Sequence, residues 1–318
     1  MIVFHEPSEV PPGFGPCIVA IGKFDGVHSG HRAVIDRARV SAAEAGARVV
    51  AVTFDRNPLS LLSPGLCPEP LSSLDQKLGL LADAGVDATL VLRFDDALAA
   101  LEPREFVELV LVHALHARRV MVGDDFRFGR GGAGDPALLT ALGTEHGFAV
   151  DVVGDVQGGG RRVSSSWVRD LLAAGDVEGA ARLLGRPHGV QGEVVHGLKR
   201  GRELGFPTAN LATDAEGFVP ADGVYAGWLI DLGPTGAPTP STTRYPAAIS
   251  VGTNPTFDDV PVRQVEAYVL DETGLQLYGH RVHVQFTHRV RGMVAFEGID
   301  ALIAQMDADV AEVRRLLS

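Results

Sequence analysis

Two histidines, His28 and His31, stand three positions apart in the run GKFDGVHSGH, Gly22 to His31. A buried-strand pattern, Cys17–Phe24, leads into this run, and an Ala/Arg-rich helical pattern, Gly30–Gly46, follows it. Glycines between a strand and a helix let backbone approach a ligand closely. The helix start adds N–H groups and the positive end of a dipole, which suits a phosphate. Residues three apart on a helix share a face. Both imidazoles can therefore turn to one point and donate hydrogen bonds to charge developing in phosphoryl transfer. The same pair also reads as a metal pair or as two surface histidines. A zinc site needs a third protein ligand, and no H-E-x-x-H context supplies one.

Two further runs in the first half carry polar chemistry. GDDFRFGRGGAGD, Gly123 to Asp135, sets Phe126 and Phe128 around Arg127 and before a glycine cluster. Aromatics with glycines suit a flat ring beside a loop, and equally a surface turn with two core phenylalanines. RRVSSSWVRDLL, Arg161 to Leu172, offers Ser164, Ser165 and Ser166 as helix caps. With Arg169 they are also able to hold a triphosphate.

The second half holds HGLKRGRELGFPTANL, His196 to Leu211. Pro207 biases Phe206 to an extended conformation and presents Thr208 and Asn210 from a stiff segment. Their hydroxyl and amide oxygens are the donors Mg²⁺ prefers, although a structural turn explains them too. No Walker motif occurs. In QVEAYVLD, Val265, Ala267 and Val269 face one way while Glu266 and Tyr268 face the other. A carboxylate so placed is able to orient or deprotonate an alcohol, or is a plain exposed-face glutamate.

The elements that must position these groups fall into two patterns. Strands at Cys17–Phe24, Arg48–Asp55, Ala88–Phe94, from Arg119–Val122 and Ala149–Val156 alternate with helices at Gly30–Gly46, Leu74–Gly85, Pro103–His116 and Asp135–Gly147. That alternation predicts βαβ crossovers, a parallel sheet covered on both faces, and ligands at the carboxyl ends of its strands. The pattern changes after Leu184. Strands at Gly192–His196, Gly223–Ile230, Tyr245–Val251, Gln264–Leu270 and Arg281–Thr287 follow one another without crossover helices, which predicts an antiparallel sheet or small barrel. Thr235–Thr243 reads as a mobile hairpin loop and Ile299–Leu317 as a closing amphipathic helix. Two domains are expected, 1–184 and 185–318, in line with a length of 318 residues.

Hydrophobic residues are 46% and charged residues 21% of the chain, which excludes whole-chain disorder. The net charge of −12 argues against a duplex-binding protein. Two cysteines, Cys17 and Cys67, make neither a disulfide framework nor a thiolate zinc site. No run reaches the ~18 apolar residues of a membrane helix. The expectation is a cytoplasmic protein without nucleic-acid or membrane partners, a monomer or weak homo-oligomer.

Together these segments resemble the HxGH nucleotidyltransferases, and more closely the bacterial bifunctional riboflavin kinase/FAD synthetases. The first half carries Gly22–His31, Gly123–Gly129 and S-S-S-x-V-R, Ser164 to Arg169. Ser166 stands where that family usually has threonine, and Asn57 where it often has histidine. The second half carries G-R-x-L-G-F-P-T-A-N (Gly201 to Asn210), G-V-Y (Gly223 to Tyr225), G-T-N-P-T-F (Gly252 to Phe257), V-E-A-Y-V-L-D (Val265 to Asp271), L-Y-G (Leu277 to Gly279) and V-R before Phe296. Gly292 and Met293 depart from the family's acidic or amide residues.

The resemblance implies a Rossmann-like adenylyltransferase domain followed by a β-barrel riboflavin kinase domain with a C-terminal helix. It implies ATP, riboflavin and FMN as substrates and Mg²⁺ as cofactor. Nucleotide contacts would come from Gly22, Phe24, Asp25, Gly26, Ser164, Ser165, Ser166 and Arg169 in the first half, and from Gly201, Gly205, Pro207, Thr208 and Asn210 in the second. Flavin contacts would come from Asn57, Asp125, Phe126, Phe128 and Arg291. His28 and His31 would steady the α-phosphate, Thr208 and Asn210 would hold Mg–ATP, and Glu266 would be base toward the ribityl 5′-hydroxyl. Alternatives are a kinase with a weakened or redirected adenylyltransferase half, and a non-catalytic flavin-binding protein.

Overall fold

The computed structural model describes residues 1–196, 205–234, 243–253, 263–272 and 274–318. Contacts divide the chain into two compact units, Met1–Ser165 and Ser166–Ser318.

The first unit is built on a six-stranded parallel sheet of order β1-β4-β3-β2-β5-β6. Its strands are β1 (Ile2–Phe4), β2 (Cys17–Ile21), β3 (Arg48–Phe54), β4 (Ala88–Leu92), β5 (Ala117–Gly123) and β6 (Ala149–Val153). Side chains alternate across the sheet. Val19, Ile21, Val50 and Val52 pack toward Phe106, Val107 and Leu111. Ile18, Ala20, Val49 and Ala51 pack toward Ile35, Ala38 and Leu81 on the other face. Helices Ser29–Ala45 and Leu74–Asp83 cover this second face, so both faces are dry, as a parallel sheet requires.

Three details differ from the sequence pattern. β1 was not expected; it pairs with β4 through Ile2↔Ala88, a partner far along the chain. The helical run expected over Pro103–His116 is one α-turn, Pro103–Phe106, continued by a π-helix, Val107–Ala114. A two-stranded hairpin, β7 (Gln157–Gly158) and β8 (Arg161–Arg162), follows β6.

The second unit is a closed barrel of order β10-β13-β12-β11-β14-β9. Its strands are β9 (His188–Val195), β10 (Thr208–Leu211), β11 (Gly223–Asp231), β12 (Arg244–Thr253), β13 (Arg263–Val269) and β14 (Arg281–Arg291). β10 is a strand where the sequence suggested only a stiff segment. The C-terminal helix, Ile299–Leu317, lays Val310 and Val313 against Phe206, Ala226 and Leu270. Helices Ser165–Ala174 and Val177–Leu184 precede the barrel. Arg289 ties the first to β14 by donating to the Ala174 carbonyl at 2.9 Å. The contact division thus falls at the first turn of the Ser165–Ala174 helix, upstream of the composition break at Leu184. The expected hairpin loop, apart from Thr243, lies outside the described residues.

Candidate active sites

β2 ends at Ile21, sooner than the expected Phe24, because the chain bends there into a left-handed loop. Phe24 (φ 50°), Gly26 (74°) and Val27 (39°) all have positive φ. For two non-glycine residues this costs energy that surrounding contacts must offset. Three pins hold the loop. Asp25 Oδ1 accepts from the Leu71 N–H at 2.8 Å, the Asp25 carbonyl accepts from the Ser165 hydroxyl at 2.9 Å, and the Gly26 N–H donates to Ser72 Oγ at 3.4 Å. The middle bond joins the glycine loop to the serine segment, 140 positions away in sequence. Ser164 immediately precedes the Ser165–Ala174 helix; Ser166 and Arg169 lie within it and group with the second unit.

His28 caps the helix Ser29–Ala45: its Nδ1 accepts from the His31 N–H at 3.4 Å. The two imidazoles stack at 3.7 Å between centroids, 18° apart. Gly30 makes room for this, since a Cβ there would stand 3.1 Å from the His28 ring. His28 is 6% exposed. Phe24 meets the His31 ring edge-on at 5.3 Å. His31 Nδ1 is buried and has no hydrogen-bond partner among the described residues. Burial pulls the His31 pKa well below the ordinary imidazole value, and the nearby charges of His28, Lys77 and Arg162 push the same way. His31 is therefore a neutral ring at pH 7, with a buried polar atom that a ligand oxygen or hydroxyl can satisfy.

The expected flavin residues differ in what they touch. Asn57 Oδ1 accepts from the Leu59 N–H at 3.1 Å and starts the short helix Leu59–Leu62. Phe128 is buried against Phe106, with ring centroids 5.9 Å apart, and stacks on Phe126 at 5.4 Å. Its backbone N–H and carbonyl pair with Gly134 at 3.1 and 2.8 Å, closing the loop. Asp125 is engaged by Arg162 at 2.9 Å, and the same guanidinium holds Asp155 at 2.9 Å and Asp124 at 3.7 Å.

In the barrel, strand register builds the group. Asn210 and Ser250 sit opposite Glu266 on its two neighbouring strands, and opposite residues share a face. Val265, Ala267 and Val269 are buried on the other face, the alternation expected from QVEAYVLD. The Thr208 hydroxyl donates to Glu266 Oε2 at 3.2 Å. Asn210 Nδ2 donates to the Thr208 carbonyl and Oγ1, both at 3.2 Å. Burial raises the Glu266 pKa, and the bond from Thr208 pulls it back. Gly205 takes a left-handed φ of 89° just before Phe206 and Pro207. Gly201 and residues 254–257 of the G-T-N-P-T-F run lie outside the described residues. Arg291 Nε and Nη2 clasp Asp309 at 2.7–3.1 Å, and Gln305 donates to Asp309 at 2.8 Å. Arg291 thus anchors the C-terminal helix through an acid only 6% exposed.

Three residues at these places were missed from sequence: Lys77, Arg162 and Asp309. Lys77 and Asp309 each stand on the apolar stripe of a helix, beside Leu81 and Val313 at helical spacing. A charge on such a stripe was a legible signal. Arg162 has no local one.

A histidine pair at a helix start on a parallel sheet, and a carboxylate–hydroxyl–amide group on a barrel face, define a two-unit transferase of phosphorylated substrates. A family model for FAD synthetase matches residues 12–167, and one for riboflavin kinase matches residues 184–317. A bifunctional riboflavin kinase/FMN adenylyltransferase of Escherichia coli (strain K12) is 37% identical over 310 residues, 98% of this chain and 95% of that protein. Proteins of the same description from Pseudomonas fluorescens and Bacillus subtilis (strain 168) are 37% and 32% identical, covering 94% and 95% of this chain and 93% and 92% of their own. The chain belongs to the bifunctional riboflavin kinase/FMN adenylyltransferase family. A crystal structure described as a macrolide-efflux protein from Streptococcus pneumoniae is also similar, with a TM-score of 0.85, 29% identity and 98% of each chain covered. Among the described residues of this chain, no helix is long and apolar enough to cross a membrane.

Proposed function

We propose that the protein makes FMN and FAD by two separate transfers from ATP, one of a phosphoryl group and one of an adenylyl group. In the barrel unit, Glu266 accepts the proton of the riboflavin 5′-hydroxyl as its oxygen attacks the γ-phosphorus of ATP, releasing FMN and ADP. In the sheet unit, an FMN phosphate oxygen attacks the α-phosphorus of a second ATP, and pyrophosphate leaves. His28 and His31 hold the α-phosphate oxygens by N–H donation, while Ser164, Ser165, Ser166 and Arg169 take the departing pyrophosphate. Gly22, Phe24, Asp25 and Gly26 line the nucleotide side, and Asn57, Asp125, Phe126 and Phe128 the flavin side. Arg291 would meet the riboflavin of the barrel unit. We assign adenylyl transfer to residues 1–184 and riboflavin phosphorylation to residues 185–318.

The observation that carries this reading is coverage. Relatives described as bifunctional align along 98% of this chain, so neither half lacks a counterpart. Thr208 and Asn210 fit Mg²⁺ by donor chemistry. A half-turn of the Asn210 amide puts its oxygen beside the Thr208 hydroxyl, two hard oxygen donors next to a carboxylate. Bound there, Mg²⁺ would neutralise charge on the ATP phosphates. The reading also places the protein in the cytoplasm, acting on small molecules as a monomer or weak homo-oligomer.

Chromatographic product analysis with riboflavin, ATP and Mg²⁺ tests it. FAD is the expected product. FMN alone would leave only the kinase, and neither product would reduce the protein to a flavin binder.

A further inference from the structure

We propose that Lys77 is a positioning residue for adenylyl transfer: its buried ammonium fastens the His28 loop to the end of β3 and supplies the positive potential that His31 and the incoming phosphate meet. The inference rests on reading the sheet unit as the adenylyltransferase.

Lys77 lies in the helix Leu74–Asp83, which Ser73 and Gln76 start with a reciprocal capping box. It is 9% exposed, on the side of the helix that also buries Leu81. An ammonium there has given up most of its hydration and must be repaid by specific acceptors. Nζ donates to the Phe54 carbonyl at 2.8 Å, to the Lys23 carbonyl at 3.4 Å and to Thr53 Oγ1 at 3.5 Å. Thr53 in turn donates to the Lys23 carbonyl at 3.1 Å. These contacts join the end of β3 to Lys23, the residue before the loop in which Phe24, Gly26 and Val27 have positive φ. A loop held in a costly conformation needs such a tie on its entering side. Its other pins, at Asp25 and Gly26, are further along.

All three acceptors are uncharged, so the contacts leave the positive charge uncancelled at short range. The nearest acids have other partners. Asp25 Oδ1 accepts from Leu71, and Asp55 accepts from Phe94 and pairs with Arg56 at 3.2 Å. Burial pulls the Lys77 pKa below the ordinary lysine value, and Asp25 and Asp55 draw it back up. The charged groups acting on His31 are His28, Lys77 and Arg162. Arg162 is compensated by Asp124, Asp125 and Asp155. Lys77, unlike Arg162, has no contacting carboxylate among the described residues. It favours the neutral imidazole, and it favours an anion entering beside that imidazole.

The experiment compares the parent with Lys77→Met and Lys77→Arg in the full-length chain. FAD formation from supplied FMN, FMN formation from riboflavin, and the NMR titration of the His31 ring are each measured. In Lys77→Met, FAD formation should fall ~10–100-fold through misplacement of the site. The His31 titration should move up, because a cation has left. FMN formation should stay within twofold, which reports the barrel unit, and an unchanged far-UV circular-dichroism spectrum should report the fold of the sheet unit. Lys77→Arg keeps the charge but not the single-point geometry. It should lower FAD formation and leave the His31 titration at the parent value, and it decides the matter if Lys77→Met does not fold. A parent that makes no FAD overturns the adenylyltransferase reading and this inference with it. A parent that makes FAD, with Lys77→Met equally active or with His31 titrating higher in Lys77→Arg, overturns this inference alone.

Discussion

The sheet unit gathers its reactive side chains from a loop and a helix start, and holds them by hydrogen bonds reaching in from Leu71, Ser72, Lys77 and Ser165. The barrel unit sets Thr208, Asn210 and Glu266 on adjoining strands, where register alone makes them neighbours. Burial acts on both groups with opposite sign. It lowers His31, and every charge named beside that ring reinforces the effect. It raises Glu266, and one hydroxyl opposes the effect. A neutral imidazole among cations is completed by an anion, and a half-desolvated carboxyl by a cation. Each site therefore lacks the charge that its proposed ligand carries. The first is vulnerable to the loss of a pin, the second to a change in the face of a strand.

The largest effect that can break this comparison is His28→Ala with His31→Ala. Each donor removed typically costs ~10²–10³ in rate. FAD formation from FMN should disappear from a discontinuous assay while FMN formation continues; an undiminished FAD rate would dissolve the contrast. Glu266→Gln comes next. It keeps shape but removes basicity, so FMN formation should drop ~10²–10⁴-fold with FAD formation from FMN preserved. A drop of only a few-fold in folded protein would make Glu266 a structural strand residue. Thr208→Ala should act more mildly, raising the Mg²⁺ concentration for half-maximal FMN formation by ~10-fold. A titration of rate against Mg²⁺ reads this directly, and an unshifted curve would take Thr208 out of the cation site.

The smallest effect concerns the barrel's stability. His188 in β9 and His283 in β14 are both pulled down by burial to about 4, the first despite its bond to the Phe218 carbonyl, the second with help from His188 and Arg186. The unfolded chain protonates them near 6.5, so it binds more protons below that pH than the folded barrel does. Stability should fall as pH drops from about 6.5 toward 4, by up to ~1.4 kcal/mol per pH unit for each histidine, and level off below. Urea unfolding followed by Trp228 fluorescence across that range checks it. His188→Gln should flatten the slope.

What was legible in the sequence is what is local in it. His28, His31 and the glycines between strand and helix announce themselves within ten residues. The 2-residue alternation around Glu266 gave its face, because pleating alone decides that. β1 is three residues long, and its partner Ala88 is far away, so no periodicity reveals it. β10 was hidden by Pro207, which reads as a turn although it precedes the first strand residue. The π-helix Val107–Ala114 keeps a helical hydrophobic pattern and differs only in bonding. Lys77 showed in the sequence only as a charge on an apolar stripe; what it binds did not, because its acceptors lie in segments that only the fold brings to it.

The closure of the barrel has a further consequence. Among the described residues, β9 and β10 meet through two register pairs, Asn210↔Val195 and Leu211↔Val194, whereas β11 and β12 share eight. Fewer backbone pairs make this the seam at which hydrogen exchange is expected to be fastest. Asn210 is part of it. A ligand that engages Asn210 and Thr208 would bind the closed form and not the opened one, and so would raise the protection of that seam by mass action. The substrate would then brace a seam that few backbone pairs hold.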